Sequence, residues 1–206
     1  WRKLFGNSCR QRIYKQVISM RTSVVDRHVF EAFVDQFDSA ILQTLSGQTL
    51  ALKCETLADI GTLPTSTQIA LQFFSPQPGT YILLNDPYAG GGLLSTFTLV
   101  TSLRTPSGEI LLLGVRSGFR SRLSSETSLE KEGLRIPPTP IAEKNQMNLT
   151  ILQAIASHPD CPQGFSERVM EMQNKVMTMQ KRLLQFDAGA SFSTTRWNQY
   201  LRASSQ

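Results

Sequence analysis

The chain has 206 residues, the length of one domain of ordinary size or of a domain with a tail. With 40% hydrophobic and 18% charged residues it has the composition of a folded chain and not of a disordered one. Its net charge of +5 comes from 21 Lys+Arg against 16 Asp+Glu, and the basic residues are scattered rather than gathered into tracts interleaved with aromatics. That pattern excludes an ordinary nucleic-acid binder.

Cys9, Cys54 and Cys161 are odd in number and widely spaced. They fit neither a zinc knuckle nor a disulfide framework, and read as reduced thiols of a cytoplasmic protein. Trp1 to Gly6 lacks the apolar core of a signal peptide, and no apolar run approaches the roughly 18 residues of a membrane span. The first residue is not Met, so a preceding segment is left open. Asn148-Leu149-Thr150 is a sequon, without meaning in a cytoplasmic chain.

Taken in order, Ile13, Val17, Met20 and Val24 fall on one helical face and predict a helix over about 11–24. A second apolar patch runs through Val29, Phe30, Phe33, Val34 and Phe37. The segments around Ser39–Leu42 and Leu50–Leu52 flank Gly47 and predict a hairpin. Gly61 to Ser66 reads as a loop leading into a helix near 66–74, closed by Pro76, Pro78 and Gly79. Tyr81 to Leu84 is a short buried strand that runs into Asn85-Asp86-Pro87-Tyr88 and three glycines. Phe97–Leu103 and Ile110–Val115 form another strand pair, joined at Pro106-Ser107-Gly108. The stretch to about Asn148 carries Pro137, Pro138 and Pro140 and is expected to be irregular. Phe165, Val169, Met172, Val176, Met179, Leu183 and Phe186 then alternate spacings of four and three, a heptad pattern over one long helix.

The segment Asn85-Asp86-Pro87-Tyr88-Ala89-Gly90-Gly91 resembles the signature of hydantoinase B, shared with the C-terminal half of oxoprolinase and with a subunit of acetone and acetophenone carboxylases. Asp38 to Leu42 and Ile60 to Pro64 are similar to that family's upstream strand and loop. Glu132-Gly133-Leu134-Arg135-Ile136-Pro137-Pro138 is similar to its downstream Glu-Gly-Leu-Arg-Ile-Pro-Pro segment. Order and approximate spacing agree from about residue 10 to residue 186.

The resemblance stops where it implies chemistry. The family's glycines lead into Thr-His-Leu-Pro-Asp, and here Leu93 replaces the His and Thr96 the Asp. The next family block, roughly Arg-Ala-His-His-Ala-Asp-x-Gly-Gly, is here Arg116 to Ser124, without either His or the Asp. Asp59 stands where the family commonly has His. By resemblance the lost residues are ligands of a divalent metal, which needs several converging lone pairs that Leu and Phe cannot give. Neither of the two histidines, His28 and His158, lies in a matching block. The family's members are also more than twice as long, so the chain is expected to be a truncated homologue.

These readings lead to a mixed α+β domain over 1–186, a mostly antiparallel sheet covered by helices near 11–24, 66–74 and 165–186, with a loose C-terminal tail over 187–206. Asn85, Tyr88, Gly90, Gly91, Arg116, Arg120 and Arg122 are the candidate binding residues. The three arginines could hold a phosphate or carboxylate, or be solvated beside Glu126, Glu130 and Glu132. Asp86, Glu132 and Asp59 are the weak catalytic candidates, and Asn85 and Asp86 are equally explained as caps of a turn. No metal and no cofactor are expected. The 165–186 helix packs on its own sheet, or meets a second copy or a partner protein; Met170 and Met177 beside its stripe favour adaptable contacts. The expected function is a binding or assembly module that has lost its metal site. The alternative is a metal-dependent hydrolase of cyclic amides, or a carboxylase subunit, with a relocated site.

Overall fold

In a computed structural model, residues 31–75, 77–105, 108–119 and 133–185 are described. The expected helix over 11–24, the tail over 187–206, Arg120, Arg122 and Glu132 lie outside them. The fold is α+β. Strands β1 (Ser39–Thr44), β2 (Thr49–Lys53), β3 (Tyr81–Leu84), β4 (Thr96–Arg104), β5 (Ile110–Gly118), β6 (Thr139–Glu143) and β7 (Gln146–Met147) form one sheet in the order β2-β1-β5-β4-β3-β6-β7. Every pairing between these strands is antiparallel. Helices α1 (Leu57–Phe73), α2 (Leu149–Ala156) and α3 (Phe165–Gln185) accompany the sheet, and residues 31–34 are helical as well.

The predicted hairpin forms between β1 and β2, and Gly47 supplies the turn with a φ of +88°. That left-handed conformation is the one glycine adopts without steric cost. β4 and β5 form the longest ladder, nine residues each, and occupy the middle of the sheet.

The two faces of the sheet differ in chemistry. Leu42, Leu83, Leu99, Leu113 and Val115 point to one face, where they pack with Phe165, Val169, Met172 and Val176 of α3. The heptad stripe from Phe165 to Met179 is thus buried against the domain's own sheet, and Phe186 lies outside the described residues. Phe97 anchors it, its ring edge-on to Phe165 at 5.0 Å between centroids. Phe33, Val34 and Phe37 join the same cluster. The opposite face is covered by α1, through Leu63 over Ile41 and Leu52, and through Ala70 over Ile82, Leu84 and Val100.

Two expectations need correction. The helix predicted near 66–74 begins nine residues earlier, at Leu57, and the segment Gly61 to Ser66 lies inside it, with Pro64 in its interior. A proline there removes one backbone donor. Around it Thr62, Thr65 and Ser66 each turn their hydroxyl back to the carbonyl four residues earlier, at 2.8–2.9 Å. The stretch expected to be irregular up to Asn148 contains β6 and β7, and α2 follows it, capped by Asn148 Oδ1, which accepts from the Ile151 N–H at 3.2 Å. Pro140 sits in β6 opposite Ile82. The β7 ladder starts only at Ala142, so at Pro140 one side of the strand has no bond to lose.

The approach of α1 to the sheet is set by Gly114 of β5. A Cβ added there would stand 2.4 Å from Thr67 Cγ2 and 3.1 Å from Ile41 Cγ2. Gly114→Ala is therefore expected to cost about 1–3 kcal/mol by overpacking, measured by urea unfolding. Gly118→Ala, whose Cβ would meet only Thr96 Cγ2 at 3.8 Å, is the control and should shift stability far less.

Candidate functional site

Between α1 and the sheet lies a buried polar cluster, built around Arg116 of β5. Its Nη1 donates to Asp59 Oδ1 at 2.7 Å and to Thr62 Oγ1 at 2.6 Å, its Nη2 to Ser66 Oγ at 2.9 Å, and its Nε to Thr98 Oγ1 at 2.8 Å. Its side chain is 3% exposed and that of Asp59 8%. Asp59 completes its own shell with the Ser39 hydroxyl at 2.8 Å and the Thr56 backbone N–H at 3.2 Å. Burial pushes the Asp59 carboxyl up. The hydrogen bonds from Arg116, Ser39 and Thr56, with the charge of Arg116, outweigh it and hold the group below its ordinary range.

Asp59 lies in the first turn of α1, where a carboxylate is favoured by the helix N-terminus. The side chains of Asp59, Thr62 and Ser66 follow each other at spacings of three and four, which puts them on one face of the helix, towards Arg116. Of this cluster Asp59 and Arg116 were singled out from sequence, and Ser39, Thr62, Ser66 and Thr98 were not. The missed signal is the run of hydroxyls at helical spacing. Arg116 does not belong to a solvated loop: it lies within a strand, with its charge matched by Asp59.

The second group is the turn after β3. Asn85 is fully buried. Its Nδ2 donates to the carbonyls of Leu94 at 3.0 Å and Leu134 at 2.8 Å, and its Oδ1 accepts from the Ile136 N–H at 2.6 Å. The backbone N–H groups of Asn85 and Asp86 both donate to Ile136 O. Two motifs about fifty residues apart in sequence are thereby held together. Asp86 caps the short turn Pro87–Ala89, accepting from Tyr88 N–H at 2.9 Å, and its other oxygen lies 3.8 Å from Arg135 Nε.

Gly90 and Gly91 close the turn. Gly90 has a φ of +79°, and its carbonyl accepts from Ser66 Oγ, which links the turn to α1. A Cβ on Gly91 would fall 2.2 Å from Asn85 O, and one on Gly92 2.9 Å from Arg116 Nη1. The outer side of the turn is open: Tyr88 is 79% exposed and Leu93 62%. Arg135 stands 6.0 Å from the Tyr88 ring centroid, within cation–π reach.

Among the described residues no group of three or more His, Cys, Asp or Glu side chains could hold a metal ion. His158 is at the surface, 3.7 Å from Asp160. Cys54 and Cys161 are free thiols, and no helix among the described residues is long and apolar enough to cross a membrane.

No protein-family profile matches the sequence, and no curated protein matches it. Among solved structures the fold is similar to that of an ATP-dependent caprolactamase from Pseudomonas jessenii, with a TM-score of 0.64 at 15% identity. The match covers 78% of this chain and 32% of that one, so this chain corresponds to about a third of the larger protein.

Removing one partner of the buried pair leaves the other charged and unmatched. Arg116→Ala is expected to destabilise by about 3–5 kcal/mol in urea unfolding. A loss within about 0.5 kcal/mol, the range of an ordinary surface change, would contradict the pair's role. The Asp59 carboxyl lies below its unfolded value of about 4. Its contribution is therefore complete above that value and is lost as pH falls through the folded one. Acid unfolding of Asp59→Asn should lack this component. The Cys54 thiol is pushed up to about 11, first by burial and then by Asp59, against Arg116. At pH 8 it should react with a thiol reagent much more slowly in the folded chain than in denaturant.

Proposed function

We propose that this chain is a hydantoinase B-like module that binds a partner and turns over no substrate. The observation that carries the reading is the engagement of Asp59 and Arg116 with each other. Both lie in blocks that resemble the family's functional segments, and both are consumed by internal hydrogen bonds. A general base, a metal ligand or an anion clamp needs a free lone pair or donor directed at an open space. Leu93 and Thr96, where the resemblance would place His and Asp, bring no strong ligand.

The surface left for contact at this end of the sheet is the outer side of the turn. Tyr88 and Leu93 are large exposed side chains, and Arg135 lies beside the tyrosine. Tyr and Arg are the residue types that carry binding energy in protein interfaces. Asn85 and the glycines give the turn its shape from inside. The partner is a protein, either a second copy or a different chain.

A second reading is a cyclic-amide hydrolase, or a carboxylase subunit, whose site is completed elsewhere. It is favoured by the fold shared with a protein named for caprolactam, a cyclic amide. A fold hosts many functions, and only the site decides between them. Candidates under this reading are Asp86 and Glu132 with a His from elsewhere, and Asp59, its third carboxylate, is engaged by Arg116.

The two readings separate in one experiment. The purified, untagged protein is dialysed, its metal content is measured by mass spectrometry, and it is then incubated with hydantoin, oxoproline and caprolactam, with and without ATP and divalent cations. The binding module is expected to carry no stoichiometric transition metal and to form no ring-opened product. About one metal per chain, or product whose formation is lost in Asp86→Ala, would establish the hydrolase instead.

A further inference from the structure

α1 covers the sheet with one side, and its other side has the wrong chemistry for a face that meets only water. Of its 17 residues only Asp59 is charged, and that carboxylate is buried. Leu57, Ala58, Gly61, Thr65, Gln72 and Phe73 are turned outward. The outer side of α3, by contrast, carries Glu167, Glu171, Lys175 and Lys181, the ordinary polar face of a surface helix. Large apolar side chains gather around α1 as well. Leu57 is 72% exposed and Phe73 60%, and Tyr88 and Leu93 stand on the turn that Ser66 Oγ fastens to the helix. On the other flank Leu45 projects from the β1–β2 turn, where Gly47 lies against Gln68. Five of the seven large hydrophobic side chains exposed among the described residues thus lie on α1 or on the two loops beside it.

We propose, on the reading of the chain as a binding module, that this face is the contact surface of a symmetric dimer whose partner is a second copy of the chain. Charge comes first. A chain of net charge +5 repels its own copy, but the outer side of α1 brings no charge to the contact, so no like charges are opposed there. The shape is also self-complementary. Leu57, Gly61, Thr65, Ile69 and Phe73 follow at intervals of four and form one ridge across the helix, large at both ends and small in the middle. Such ridges interdigitate in the commonest packing of two helices. A two-fold axis beside Thr65 lays the ridge against its own copy running the other way, so that Leu57 of one copy meets Phe73 of the other. Nothing inside the fold calls for a glycine at position 61. An added Cβ would meet no atom within 4 Å, and glycine costs a helix interior about 1 kcal/mol against alanine. Close approach of a second backbone accounts for it. The area suffices too: α1 is about 25 Å long, and with a loop on each flank the face is about 30 Å wide, close to the roughly 800 Å² that each partner of a stable pair buries.

Sedimentation of the full chain over a range of concentrations tests this. At about 100 μM, above the weakest dissociation constants of contacts this size, the mass is expected to be twice 23.0 kDa. Gly61→Arg sets two guanidiniums beside the axis and should weaken the dimer at least about tenfold, while helix propensity favours Arg over Gly and spares the fold. Thr65→Cys, at an exposed position, should on mild oxidation form a disulfide from position 65 of one copy to position 65 of the other, found by peptide mapping. This link decides the matter if Gly61→Arg fails to fold. A monomer at every concentration overturns the inference. So does a dimer unchanged in Gly61→Arg, and so does oxidation of Thr65→Cys without the symmetric link. A monomer that also forms no ring-opened product leaves the binding module standing with a different partner. A dimer that opens a lactam keeps the contact and removes the binding module.

Discussion

The polar half of this fold depends on one ion pair. Arg116 and Asp59 sit between α1 and the sheet, and each would be costly to bury alone. Together they are tolerable because the remaining donors and acceptors are also matched. Asp59 takes Ser39 and the Thr56 backbone, and Arg116 takes Thr62, Ser66 and Thr98. The planar guanidinium suits such a shell, since its donors diverge in fixed directions towards strand and helix at once. α1 is therefore held to the sheet by the directed bonds of Asp59, Thr62, Ser66 and Thr67 and by the apolar contacts of Leu63 and Ala70. Gly114 permits this close approach, and Pro64 is accommodated within it.

The pair also reaches the turn after β3. Ser66 touches both Arg116 and the carbonyl of Gly90, and Gly92 leaves space that Arg116 occupies. From the same turn Asn85 extends the network to Leu134 and Ile136. Helix, central strand, glycine turn and Pro-rich segment thus share one continuous set of hydrogen bonds. A change at any member leaves a buried polar group unmatched, so the cluster behaves as a unit rather than as separate contacts.

This network accounts for what could and could not be read from sequence. The β1–β2 hairpin, β3 and α3 were legible, because alternation, a turn glycine and the heptad stripe are signals of hydrophobic burial. α1 was read half correctly. Its buried positions are Asp59, Leu63, Ser66, Thr67 and Ala70, a helical stripe in which three of five residues are polar. A hydropathy pattern does not register such a stripe, and Gly61 and Pro64 pointed to a loop. β6 was missed because Pro140 argued against a strand, a rule that loses force where the outer ladder has not yet begun. Arg116 could be read as loop or as ligand while its partner, 57 residues away, was not in view. The motif residues of the turn were legible as a family likeness, and the contact between Asn85 and the segment from Leu134 to Ile136 gives that likeness a physical cause.

The two faces of the sheet divide the work of the fold. The face under α3 is apolar and tolerates exchange among residues of similar size. The face under α1 is specific around Arg116, since Asp59, Thr62, Ser66 and Thr98 each meet its guanidinium in a fixed position. A ligand entering the α1 face would have to displace internal bonds and compensate a buried charge. Contact with other molecules is cheaper on the outer side of the glycine turn, where Tyr88, Leu93 and Arg135 already face water. The same side chains that make the interior self-sufficient leave the outer side of the turn as open surface at this end of the sheet. A fold shared with a caprolactamase at 15% identity thus fixes the sheet and its covering helices, while the side chains between them decide the chemistry.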